Sequence, residues 1–89
     1  MKVKESKNLV CDRFPLIRRY EGYNHVEPNK CLLERFDEID DRIELDFKNG
    51  KEATIRAKNI QGEQELDLIA DKLKDFIGMT YEEILNMNI

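Results

Sequence analysis

Ile43, Leu45 and Phe47 alternate with Glu44 and Asp46, and the dipeptide Asn49-Gly50 follows within two residues. Alternation at a period of two marks a strand with one buried face. Asn-Gly marks a reversal, because both residues tolerate the positive φ that tight turns demand. The chain must therefore fold back on itself here, and the only freedom left is the register. A two-residue loop sets Leu45 against Thr54 and Ile43 against Arg56. A three-residue loop, Lys48-Asn49-Gly50, sets Ile43 against Ile55 and Leu45 against Ala53, collecting the apolar residues on one face. Burial selects the second arrangement, which also puts Gly50 at the left-handed position of such a loop. It has a cost: Arg42 faces Arg56 and Asp46 faces Glu52, and like charges directly opposite repel. Glu44, diagonal to Arg56, is expected to offset part of this.

The pattern then switches period. Leu66, Ile69, Ala70, Leu73, Phe76 and Ile77 recur at helical spacing, which predicts an amphipathic helix from about Glu63 to Ile77. Glu63 and Glu65 sit where the helix dipole favours negative charge, and Gly78 suits a left-handed cap. Thr80-Tyr81-Glu82-Glu83 has the form of a capping box, with Met79 and Ile84 in the staple positions. It predicts a last short helix reaching about Met87.

The N-terminal half is harder to divide. Leu32, Leu33, Phe36 and Ile39 fit a helix that Asn29 would cap. A lone hairpin, however, needs a further strand or a helix against it. We therefore read Leu32 to Phe36 as a strand, with Asn8 to Cys11 as another short one. Arg13 to Tyr20 is either a helical turn or extended, and Gly22 to Lys30 reads as loop. The expected fold is α+β: an antiparallel β-meander of three to four strands, an amphipathic helix packed on one face, and a short C-terminal helix. With 89 residues it forms a single small domain spanning 1–89, with residues 1–7 expected to fray.

Composition bounds what such a domain does. Hydrophobic residues make up 40% and charged residues 38%, which excludes a disordered polymer. No apolar run approaches the roughly 20 residues that span a bilayer. The basic N-terminus lacks the apolar stretch of a signal peptide, so the expected location is cytoplasmic, with no membrane contact. Cys11 and Cys31 are too few for a disulfide scaffold and are expected to be reduced, small apolar side chains. The net charge of −4 is uneven: residues 1–36 carry +3 and residues 37–89 carry −7. Such asymmetry bears on partners rather than on fold.

Four groups of residues carry functional chemistry worth setting against ordinary surface or core roles. Glu63, Asp67, Asp71 and Asp75 are spaced four apart, so they line one edge of the helix at a cost of roughly 0.2–0.5 kcal/mol per like-charged pair. Leu68 points away from the apolar face beside them. Such a ridge is ordinarily solvated surface; its functional reading is a docking face whose carboxylates steer a basic partner around Leu68. Glu44, Asp46 and the run Asp37-Glu38-Ile39-Asp40-Asp41 are expected to add to its field. The second group, Arg18, Arg19 and Tyr20 with Tyr23, His25 and Lys30, has the chemistry to grip phosphates and stack on bases. An acidic domain makes a nucleic-acid role the weaker alternative. Thirdly, Cys11, His25 and Cys31 lack the paired spacing of zinc ligands, and no calcium loop or Gly-rich phosphate loop is present, so neither metal nor cofactor is expected. Finally, Cys11 beside Arg13 has a setting for a lowered pKa, yet a nucleophile needs a positioned base and a pocket, which a chain this short rarely encloses. The expectation is a non-enzymatic interaction or regulatory domain, binding a protein with a basic surface through Glu63, Asp67, Leu68, Asp71 and Asp75. An uncovered edge strand or Leu68 would equally serve a homodimer.

Overall fold

The hairpin forms in the register that burial demands. In a computed structural model, which describes residues 1–12, 16–17, 32–75 and 78–89 (without the side chains of Leu16, Ile17 and Asn49), strand β4 (Arg42–Phe47) pairs antiparallel with β5 (Lys51–Ala57). Ile43 lies opposite Ile55 and Leu45 opposite Ala53. The three loop residues, Lys48–Gly50, make a 3₁₀ turn in which Gly50 takes φ 73°. A side chain there would suffer the clash that keeps L-residues out of the left-handed region.

The like-charge pairs also stand where expected, Arg42 against Arg56 and Asp46 against Glu52. Their relief comes from neighbours. Arg42 Nε donates to Glu44 Oε1 at 3.0 Å, and Arg35 Nε to Asp46 Oδ2 at 2.8 Å. Glu44 therefore pairs along its own strand with Arg42, where a diagonal contact to Arg56 was expected.

Preceding the hairpin is β3 (Leu33–Ile39), running three residues beyond the expected end at Phe36. Its turn into β4 uses Asp40 at φ 48°, a conformation that Asp tolerates better than most residues. On the other side of β5 lies β1 (Leu9–Cys11), with Leu9 opposite Ala57, and the two-residue β2 (Leu16–Ile17) extends the same edge. The sheet order is β1-β5-β4-β3, all antiparallel, so the meander has gained a fourth strand from the N-terminus.

The main helix, α1, spans Ile60–Leu73, three residues earlier and four residues shorter at its end than the apolar period suggests. The early start has a local cause. Asn59 is the N-cap, its Oδ1 accepting from Gly62 N–H at 2.8 Å, and such a cap is worth about 1 kcal/mol. The early end has a distant one. Leu33 N–H donates to the Met79 carbonyl at 2.8 Å and Gly78 N–H to the Leu33 carbonyl at 3.1 Å. The chain must leave the helix to lie against β3, and Gly78, at φ 101°, serves that junction rather than capping α1. Phe76 and Ile77, expected in the apolar stripe, lie outside the described residues.

Leu66, Ile69, Ala70 and Leu73 of α1 are buried against Ile43, Leu45, Ala53 and Ile55 of the sheet. Each large side chain so buried contributes roughly 1.5–3 kcal/mol before entropy is counted. The short helix α2 (Tyr81–Leu85) closes one end of this core. Its capping box forms as expected: Glu83 N–H donates to Thr80 Oγ1 at 3.1 Å, and Thr80 N–H to Glu83 Oε1 at 3.0 Å. Tyr81 meets Phe47 edge to face, with ring centroids 5.9 Å apart. That arrangement matches positive ring edge to negative ring face.

Residues 1–7, expected to fray, are docked instead. Val3 has no exposed surface, its N–H donates to the Met87 carbonyl at 2.9 Å, and Ile89 N–H donates to the Met1 carbonyl at 2.9 Å. The reason is Ser6. Its hydroxyl donates to the Glu65 carboxylate of α1 at 2.6 Å, and Asn8 Nδ2 donates to the same carboxylate at 3.2 Å. Here the chain runs so close to α1 that a Cβ built on Gly62 would stand 2.3 Å from the Asn8 carbonyl oxygen.

That approach decides a sign. Replacing a helical glycine with alanine ordinarily gains up to about 1 kcal/mol. At position 62 the methyl would meet backbone that cannot step aside, so Gly62→Ala is expected to destabilise by about 1–3 kcal/mol. Urea midpoints of the two proteins measure it, and a rise in the midpoint would contradict the close approach.

Candidate functional site

The rotation of α1 about its own axis determines what it shows to solvent. With Leu66, Ile69 and Leu73 turned onto the sheet, Glu63, Asp67 and Asp71 are all exposed on the outer flank, as is Asp75 in the turn after the helix. Leu68 stands beside them, 51% exposed, and Ile60 at the first helical position is 72% exposed. The five residues expected to form a docking face thus share one surface. Within it, only a long 3.4 Å contact between Lys74 Nζ and Asp71 Oδ1 joins charges of opposite sign among the described ion pairs, and at such exposure a pair contributes little.

One further carboxylate belongs to this surface. Alternation along β3 puts Glu38 on the same sheet face as Phe36, because Phe36 pairs with Leu45 and Glu38 with Ile43, both buried under α1. Its side chain reaches the flank of the helix. A proton shared with the Asp67 carboxylate holds the Glu38 pKa above its ordinary value; desolvation and the Asp67 charge push the same way, while Lys74 opposes. The shift reports crowding of negative charge where strand and helix meet.

Glu44, Asp46 and Asp37 do not join it. They alternate with Ile43, Leu45 and Glu38 and so lie on the opposite sheet face, where Glu44 and Asp46 are held by Arg42 and Arg35. The expected broad acidic field is therefore split into two faces, and of the run from Asp37 to Asp41 it is Glu38 that contacts α1.

Elsewhere the described residues offer little chemistry. A polar cleft of about 270 Å³ lies at the turn end of β4 and β5, bordered by Arg35, Asp46, Phe47, Lys51 and Glu52. Among the described residues no group of three His, Cys, Asp or Glu side chains is arranged to hold a metal ion. Likewise, no helix of the described residues is long and apolar enough to cross a membrane. The alternative nucleic-acid group, Arg18, Arg19 and Tyr20 with Tyr23, His25 and Lys30, lies outside the described residues, as does Cys31.

Cys11 does not have the lowered pKa that its neighbour Arg13 suggested. Half-buried on β1, its thiol is pushed up to about 11, first by desolvation and then by the charge of Asp12. At neutral pH it is a protonated, apolar side chain packed at the edge of the core. Tyr81, whose hydroxyl donates to the Asp12 carbonyl, is raised by the same causes, burial first and then Cys11 and Asp12.

Both shifts carry a consequence for stability. A thiol that titrates near 9.0 when unfolded and near 11 when folded holds more protons in the native state between those values. Stability therefore falls as pH rises from about 9 to about 11, and the Tyr81 phenol adds to the loss at the upper end. Urea unfolding at pH 8 and pH 10.5 is expected to show a decline that is smaller in Cys11→Ala and in Tyr81→Phe than in the parent. An identical decline in all three proteins would contradict the burial of these groups.

No protein-family model matches the chain, and neither a curated protein nor a solved structure is significantly similar to it.

Proposed function

We propose that this is a non-enzymatic interaction or regulatory domain that binds another protein through the outer face of α1. Glu63, Asp67, Asp71 and Asp75 supply the attraction and Leu68 the central apolar contact. The observation that carries the reading is the exposure of Leu68 beside the exposed carboxylates of Glu63, Asp67, Asp71 and Asp75. A scattered surface leucine means little. A leucine bordered on one side by a row of carboxylates, with Lys72 next on its own row, has the layout of a contact centre with a steering flank, in which apolar burial supplies affinity and the charges set encounter rate and partner choice. Glu38 supports it from the neighbouring strand, since crowded carboxylates at this junction gain when a cation arrives.

The partner surface that complements this face is basic. Salt screens exposed charges over about 8–10 Å at physiological ionic strength, so association is expected to slow as salt rises while dissociation changes less.

Leu68→Asp tests the reading because Leu68 takes no part in the core. The variant is expected to keep the parent's circular dichroism and urea midpoint and to lose partner capture from extracts of the native host. Capture equal to the parent's, with the fold intact, would show that α1 is not the docking face.

A further inference from the structure

We infer that the outer face of α1 receives an amphipathic helix with a basic flank, seated in the groove between the row Ile60-Gln64-Leu68 and the row Glu63-Asp67-Asp71. The inference rests on the reading of α1 as a binding face and names the kind of partner it takes. Residues four apart on a helix form a ridge, and two such ridges offset by three positions border one groove into which a ridge of another helix fits. On α1 one of these ridges carries exposed apolar side chains, Ile60 and Leu68, and its neighbour carries exposed carboxylates. Successive carboxylates stand roughly 6 Å apart along the axis, at 1.5 Å per residue, which is the spacing of Lys or Arg four apart on a facing helix.

Backbone chemistry favours a helix over an extended segment. The amides in the middle of α1 are bonded within the helix, so the face offers side chains only. A strand laid across it would bring its own N–H and C=O groups against Leu68 without partners, whereas a helix arrives with those groups already satisfied. Charge disposes of two other occupants. A second copy docking through this same face would bring like rows of carboxylates together, and a nucleic acid would bring phosphates to them. The contact is one helix deep, which places it in the small, transient class below about 1,200 Å².

The experiment uses two fluorescent peptides of identical Leu, Lys and Ala composition and about 18 residues, long enough to be helical on binding. One has its apolar residues at helical period, the other at strand period. The helical pattern is expected to bind the full chain, to weaken with added salt, and to perturb amide resonances of residues 60–71. Ile60→Asp and Leu68→Asp, checked for native circular dichroism, are each expected to weaken it at least tenfold, about 1.4 kcal/mol. Equal or tighter binding of the strand-period peptide at α1 would overturn the helical partner and leave the acidic docking face standing. Perturbations confined to residues away from α1, or no binding by either peptide while Leu68→Asp still abolishes capture of the natural partner, would likewise overturn it. Failure of both peptides together with unchanged capture by Leu68→Asp would remove the docking face itself.

Discussion

The burial of Leu66, Ile69 and Leu73 against Ile43, Leu45 and Ile55 is the contact on which everything else depends. It buries the apolar stripe of α1 on the sheet, and it also sets the rotation of α1. A helix has one degree of freedom that a sheet does not, namely which of its sides faces inward. Once the apolar stripe is turned down, the positions of Glu63, Asp67, Leu68 and Asp71 follow from the 100° step of the helix. The surface proposed for recognition is thus a by-product of the core, held in place by residues that never touch a partner.

That rotation is reinforced from one flank. Glu65 receives the Ser6 hydroxyl and the Asn8 amide, while Gly62 lets the Asn8 backbone come close. These contacts pin the first turns of α1 to the N-terminal segment. On the opposite flank Glu38 meets Asp67, a contact between like groups that gives no comparable hold. One side of α1 is clamped and the other is crowded with negative charge, which is where an incoming cation gains most.

How much of this was legible from the chain depended on the range of the interaction. The β4–β5 register followed from a local demand, that Ile43, Leu45, Ala53 and Ile55 share a face, and the Thr80 box from four consecutive residues. The start of α1 was misplaced because Asn59 precedes Ile60, an apolar residue that points outward and breaks the period. Its end was misplaced because the pull of Leu33 on Met79 acts across about half the chain. Docking of Val3 and the clamp on Glu65 were equally invisible, since both join residues some sixty to eighty positions apart. The Glu38 contact had a usable signal: once residues 33–39 are a strand, parity alone puts Glu38 beneath the helix with Phe36. The same parity removes Glu44 and Asp46 from the ridge.

Thiol labelling measures the orientation of α1 directly. In a background with Cys11 and Cys31 replaced by alanine, single cysteines are placed in turn at positions 63, 66, 67, 68, 69, 71 and 73, and their native-state modification rates are compared with those in urea. Near-unfolded rates are expected at 63, 67, 68 and 71 and strong protection at 66, 69 and 73. Protection at 68 and 71 with rapid labelling at 66 and 69 would mean the helix is turned the other way, and the core and the binding face would both be wrong.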